Sequence, residues 1–125
     1  LQMAKQAIAL GSCKYVNIKP GRVGGLSTAI AIHDLCVEHG IPCWVGGMLE
    51  SSTGSAICTA LATLPNFTYA ADIFPSSRYY TTDLSSPAME LEMLDGIPHV
   101  RAFSTLPEPD LARLEAATLA TTIIQ

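Results

Sequence analysis

Apolar and polar positions along the first part of the chain repeat in the order helix, short turn, apolar strand. Apolar residues spaced by three and four positions, as on one face of a helix, predict helices over residues 2–10, from a Ser27 cap to Gly40, and over residues 53–63. Short apolar runs bounded by turn-forming residues predict strands over residues 15–18, 42–45 and 67–71. After residue 74 the pattern weakens into loop with short extended pieces, and a last helix is expected over residues 108–120.

This order of elements predicts right-handed parallel βαβ units. The strands follow one another at intervals of about 25 residues, which fits a (β/α)8 barrel better than a doubly wound sheet with its longer excursions. Three strands cannot close such a barrel. The pattern therefore predicts an α/β chain that forms part of a TIM-like barrel.

Composition and charge exclude several classes of protein. Apolar residues make up 49% of the chain and charged residues 14%, which is not the balance of a disordered chain. The formal net charge is −4 and the basic residues are scattered, so we expect no nucleic-acid partner and no membrane binding. No apolar run approaches the ~20 residues that a membrane span needs. The four cysteines lack metal-ligand spacing, which indicates a reduced, cytoplasmic protein without a zinc site.

Chemistry is expected at the carboxyl ends of the predicted strands, where side chains project from a rigid base into the loops. Lys19, Glu50 and Asp72 occupy those ends. Partial burial of Lys19, and the second cation Arg22 three residues later, would both disfavour its charged form, which makes a lysine usable as a general acid or base near neutral pH. The alternative is a solvated lysine whose apolar stem covers the end of the strand.

The acidic residues and the histidines carry less specific signals. Glu50 and Asp72 could form half of a Mg²⁺ site, since Mg²⁺ prefers several hard oxygen ligands. They could equally be acids stabilised by the amino-terminal end of a helix, which is the interpretation favoured for Glu50. His33, His39 and His99 lie on a predicted helix or in the irregular segment, and structural roles fit them better than catalytic ones.

The stretch NIKPGRVGGL at residues 17–26 is followed by IHDLC at residues 32–36. These stretches resemble the sixth strand and helix of one branch of the enolase superfamily, which holds the o-succinylbenzoate synthases and the N-succinyl- or N-acylamino-acid racemases. GGMLE at residues 46–50 resembles the end of its seventh strand, and residues 64–79 carry pieces that resemble the eighth. The resemblance extends in order over about residues 8–82.

The resemblance implies the carboxyl-terminal part, about strands 6–8, of a (β/α)8 TIM-like barrel. Residues 1–82 would hold the last three βα units. Residues 83–125 would form an irregular segment and a terminal helix that packs on the barrel or on a missing capping domain. The metal ligands and a further lysine pair of the family would lie upstream of Leu1, so we expect the Mg²⁺ cofactor to be held outside this chain.

The same resemblance implies the roles of individual residues. Lys19 would be the catalytic lysine of the sixth strand and Arg22 its support, while Gly47, Met48 and Glu50 would bind or border the substrate, a small-molecule carboxylate. The implied reaction is a Mg²⁺-assisted dehydration through an enediolate in menaquinone or phylloquinone biosynthesis. Racemisation of N-acylamino acids is the closest alternative, and a non-catalytic fragment that needs a partner piece is another. The chain alone is expected to be inactive, and to form a homo-oligomer or to associate with the missing half of the barrel.

Overall fold

The computed structural model describes residues 1–123, which combine short strands with longer helices. The helices are α1 (Gln2–Ala9), α2 (Pro20–Val23), α3 (Leu26–Glu38), α4 (Ser52–Leu61) and α5 (Leu111–Ala117), with a 3-10 helix at Ser76–Arg78. The strands are β1 (Val16–Ile18), β2 (Cys43–Val45), β3 (Ser85–Ser86), β4 (Leu91–Leu94), β5 (Ile97–Val100) and β6 (Glu108–Pro109). None of the helices in residues 1–123 is long and apolar enough to cross a membrane.

β1 and β2 pair in parallel, and α3 lies in the crossover between them. Ile18 lies opposite Val45. The ladder extends one step further, because the Gly46 N–H donates to the Ile18 carbonyl at 3.0 Å. Parallel strands need a crossover of about a dozen residues or more, usually a helix, so these elements form one βαβ unit. α4 follows β2 and begins the next unit.

The third strand predicted over residues 67–71 is interrupted, so that prediction is wrong in detail. Phe67 bridges to Cys43 and Asp72 bridges to Gly46, both in parallel. Three residue steps from Cys43 to Gly46 therefore face five steps along the third segment, and the middle of that segment bulges out of the ladder. Asp72 still reaches the same edge as the ends of β1 and β2.

The two parallel strands β1 and β2 and the parallel segment over residues 67–72 together form a parallel arc. The core lies between this arc and the inner faces of α3 and α4. Ile18 and Val45 are completely buried. The helix residues in the same cluster are small or branched and buried, namely Ala29, Ile32, Cys36, Cys58 and Leu61. Burial of one Ile, Leu or Val side chain stabilises a fold by about 1.5–3 kcal/mol. The core therefore fixes the strand ends that carry the polar residues.

The two ends of α3 differ in how well the sequence predicts them. The helix begins at Leu26, and no side chain caps it. Ser27 already has helical backbone there, whereas a cap residue does not, so the predicted Ser27 cap is wrong. Gly40 has a φ of +63°, a left-handed conformation that glycine adopts at little cost, and α3 ends just before it, as predicted.

The carboxyl-terminal segment contains short strands, in line with the short extended pieces expected there, and these strands pair into two small sheets. β4 and β5 form an antiparallel hairpin, and β3 pairs with β6. α5 is shorter than the predicted helix over residues 108–120, because Glu108–Pro109 belong to β6. Its start is capped by Asp110, whose carboxylate accepts the Arg113 N–H at 3.1 Å. Residues 124–125 lie outside the described residues, and the division at residue 83 stays a prediction.

Candidate active site

Lys19 lies directly after β1, where the ends of the three parallel segments meet. Its Nζ donates a hydrogen bond of 2.7 Å to the Gly47 carbonyl and lies 3.8 Å from Asp72 Oδ2. The Lys19 side chain is 23% exposed and that of Asp72 is 47% exposed. Solvent screens a pair this exposed, so the attraction contributes about 1 kcal/mol at most. The structure thus brings Lys19, Gly47 and Asp72 together at one edge of the arc.

Because Gly46 has no side chain, the Lys19 side chain can occupy the space beside it. A Cβ atom on Gly46 would lie 2.7 Å from Lys19 Cε and 2.7 Å from Asn17 Nδ2, far closer than carbon atoms pack without strain. Asn17 lies two residues before Lys19 on β1, so both side chains face the same side of the arc. The Asn17 amide donates to the Trp44 carbonyl at 3.4 Å. Asn17 therefore borders the stem of Lys19 across a position that has no side chain.

The loop after β2 is held by its own hydrogen bonds. The Gly47 N–H donates to the Asp72 carbonyl at 2.6 Å. Glu50 Oε2 accepts the Met48 N–H at 2.5 Å, so this carboxylate is bound to the loop backbone. Met48 and Leu49 are exposed, at 44% and 60%. Of the predicted substrate-binding residues, Gly47 contacts Lys19 directly, Met48 is open to a ligand, and Glu50 orders the loop between them.

Arg22 lies on α2 with an exposed side chain. Its backbone N–H donates to the Lys19 carbonyl at 2.9 Å. Among residues 1–123 the Arg22 guanidinium makes no hydrogen bond and no ion pair. The proximity of Arg22 to Lys19 is thus a backbone contact, and its predicted supporting role stays a prediction.

Asp83 organises a buried network that the sequence analysis did not single out. Its carboxylate accepts hydrogen bonds from the Ser52 and Ser76 hydroxyls and from the N–H groups of Ser52 (3.0 Å) and Ser85 (2.7 Å). Burial alone raises the pKa of Asp83, but these hydrogen bonds outweigh burial and hold the pKa below its ordinary value. Ser52 is the first residue of α4. The Asp83 carboxylate therefore supplies a hydrogen-bond acceptor at the start of the helix that follows the loop after β2.

The carboxylates at the strand ends, Glu50 and Asp72, already have partners among residues 1–123. Within residues 1–123 no group of three or more His, Cys, Asp or Glu side chains is placed to hold a metal ion. Asp72 faces the Lys19 ammonium and Glu50 accepts a backbone N–H, whereas Mg²⁺ requires near-ideal octahedral oxygen coordination. No chemical step is therefore assigned to a metal on these residues.

Three of the four cysteines (Cys36, Cys43 and Cys58) and His33 are buried. Burial raises the pKa of the Cys43 thiol to about 12 and that of the Cys58 thiol to about 11. Both thiols are therefore protonated and weakly reactive at neutral pH. His33 is 5% exposed, and its Nδ1 lies 2.8 Å from Asp34 Oδ1. The centroid of the His33 ring lies 5.0 Å from that of the Phe67 ring. Phe67 lies at the start of the third parallel segment, whereas Lys19 and Asp72 lie at the carboxyl ends.

Comparison with known proteins identifies the family of this arrangement. A family model described as enolase C-terminal domain-like matches residues 1–102. The chain is 53% identical over 89 residues to an o-succinylbenzoate synthase of Bacillus subtilis (strain 168), a match that covers 71% of this chain and 24% of that protein. It is 54% identical over 84 residues to an N-succinylamino acid racemase of an Amycolatopsis species, covering 67% of this chain and 23% of that protein.

Solved structures agree with the sequence matches. A crystal structure of an enolase superfamily member from Listeria innocua superposes with a TM-score of 0.77 at 35% identity, covering 90% of this chain and 30% of that one. The chain spans about a quarter of the length of the curated relatives it matches. The predicted resemblance and the predicted fold, part of a TIM-like barrel, are both confirmed. The chain belongs to the enolase C-terminal domain-like family.

Proposed function

We propose that the chain is the carboxyl-terminal part of an o-succinylbenzoate synthase, a lyase that dehydrates a cyclohexadiene carboxylate on the route to menaquinone or phylloquinone. The observation that carries the proposal is the position of Lys19. Its ammonium lies where three parallel segments end, in contact with the Gly47 carbonyl. The chain also shares 53% identity over 89 residues with a protein of that name.

In this proposal Lys19 acts on a carboxylate substrate. An ammonium group has three N–H donors, and Gly47 takes one of them at 2.7 Å. The other donors can face the negative charge that develops when a proton leaves the carbon next to a carboxylate. A positive charge positioned in advance stabilises that enediolate, because it needs no reorganisation during the reaction. Lys19 therefore supplies charge in the dehydration.

The proposal also covers the cofactor, the partners and the cellular location. Mg²⁺ serves the whole enzyme through ligands outside this chain. The substrate is a small-molecule carboxylate, and nucleic acids and membranes have no part in the reaction. The chain associates with the rest of its barrel or with further copies in the cytoplasm.

The test is turnover by the full-length enzyme, meaning this chain together with the upstream part of its reading frame. Lys19→Ala should lower the dehydration rate by at least about 10²-fold, in line with what one group that stabilises developing negative charge contributes. Circular dichroism should stay unchanged, since the side chain is partly exposed. Activity close to that of the wild type would make Lys19 a solvated lysine and contradict the proposal.

Racemisation of N-succinylamino acids is the second candidate. It is favoured by the 54% identity over 84 residues to the racemase of Amycolatopsis. In a racemase the Lys19 amine would take or return a proton on one face of the substrate. Assays of the full-length enzyme with a cyclohexadiene carboxylate and with an N-succinylamino acid separate the two reactions. Turnover of neither substrate would favour the remaining alternative, a non-catalytic piece that folds on a partner.

A further inference from the structure

The path of the Lys19 side chain depends on the residue opposite it. β1 and β2 are paired up to Ile18 and Val45, so Lys19 and Gly46 are the next neighbours across the two strands. The Lys19 stem runs past Gly46 to reach the Gly47 carbonyl at 2.7 Å. A Cβ on Gly46 would lie 2.7 Å from Lys19 Cε, so no side chain fits at residue 46 while Lys19 keeps this path.

We propose that Gly46 is a positioning residue for Lys19: the absence of a side chain at residue 46 sets where the Lys19 ammonium lies. The inference rests on the proposed function, in which that ammonium acts on the substrate. Gly46 has no side chain with which to act on the substrate. Its effect on the reaction comes through Lys19 alone.

The neighbours of Gly46 determine what an added methyl group would displace. The three atoms nearest to the added Cβ, all within 3 Å, belong to the side chains of Lys19 and Asn17. Such side-chain ends move more easily than backbone, so the fold can absorb the change. Lys19 cannot absorb it without leaving its path, and its ammonium would move away from Gly47 and Asp72.

Gly47 differs from Gly46 in this respect. A Cβ on Gly47 would lie 2.9 Å from the Asp72 carbonyl oxygen, which is backbone and cannot turn aside. Replacement of Gly47 would therefore distort the strand itself. Of these two consecutive glycines, Gly46 is the one whose replacement acts chiefly on side chains.

The experiment measures kcat and KM of the full-length enzyme carrying Gly46→Ala. Displacement of a reacting group by about 1 Å can lower a rate by about 10²-fold. We expect kcat to fall by about 10- to 100-fold, KM to stay within about twofold, and the unfolding temperature to change little. Gly21→Ala is the matched control, because the nearest atom to its added Cβ is Met48 Cγ at an ordinary 4.0 Å, and its kcat should stay within about twofold of the wild type.

A double-variant comparison separates positioning from general damage to β2. In a Lys19→Ala background, Gly46→Ala should leave the residual rate within about twofold, because no lysine is left to displace. An equal loss in both backgrounds, or a kcat near that of the wild type for Gly46→Ala, would overturn the inference. If Gly46→Ala does not fold, Asn17→Ala/Gly46→Ala removes the second overlap, and failure of that variant to fold would also overturn it. A Lys19→Ala enzyme with full activity would instead contradict the proposed function.

Discussion

Arg22 touches Lys19 through its backbone, while its side chain carries an exposed positive charge. Its guanidinium makes no hydrogen bond or ion pair with any residue among 1–123, so its field reaches Lys19 through solvent, where salt screens it. We expect Arg22→Gln to change kcat/KM of the full-length enzyme by less than about tenfold, an effect that shrinks as salt is raised from about 0.01 M to 1 M. Arg22→Lys, which keeps the charge, should behave like the wild type. A loss comparable with that of Lys19→Ala at every salt concentration would show direct contact with the substrate.

At the residue scale, the sequence predicts those neighbours that strand topology alone determines. Lys19, Gly47 and Asp72 meet because the carboxyl ends of parallel strands share one edge. The role of Glu50 depends on the conformation of a short loop, in which its carboxylate turns back to the Met48 N–H. No periodicity in the sequence encodes that turn.

At the element scale, the network around Asp83 joins α4 to the carboxyl-terminal segment. Its carboxylate binds Ser52, 31 residues earlier in the chain. An asparagine could accept fewer hydrogen bonds, and loss of a buried hydrogen bond to a charged group costs about 1.5–3 kcal/mol. We expect Asp83→Asn to lower the unfolding midpoint of the full-length enzyme in urea at pH 7. Glu90→Gln, an exposed carboxylate on the same segment, should leave that midpoint unchanged.

The same network predicts a dependence on pH. The pKa of Asp83 is lowered from the ordinary 3.8, so the folded state holds its proton less tightly than the unfolded chain does. Its stabilising contribution is therefore complete well above pH 3.8 and is lost as the pH falls through the lowered pKa. The gap in urea midpoint between wild type and Asp83→Asn should narrow as the pH is lowered below about 4. A gap that is the same at pH 7 and in acid would mean that the carboxylate charge is not what stabilises the network.

The elements themselves were predicted to the extent that local patterns determine them. Apart from the short helix α2, which was not predicted, the helices and strands up to α4 begin and end within about two residues of their predicted limits. The bulge between Phe67 and Asp72 could not be predicted, because an apolar run reads the same whether or not its middle leaves the ladder. The β4–β5 hairpin did have a signal, since Asp95-Gly96 is a favoured pair for a tight hairpin turn and both residues have positive φ.

At the scale of the whole molecule, we expect the purified 125-residue chain to bind Mg²⁺ weakly, to show no turnover and to associate with itself. Among residues 1–123 no acidic cluster can hold the metal, and proton transfer on both faces of a substrate needs more groups than Lys19. β1 pairs only with β2 in the described part of the chain, which leaves an open edge of the kind that pairs with other chains. Large apolar side chains also lie exposed, including Met3 at 82% and Leu10 at 81%.

Calorimetry with Mg²⁺, an activity assay and light scattering on the isolated chain check these expectations, with the full-length enzyme as the positive control. A monomer with micromolar affinity for Mg²⁺ and measurable turnover would mean that this chain builds a complete site on its own residues.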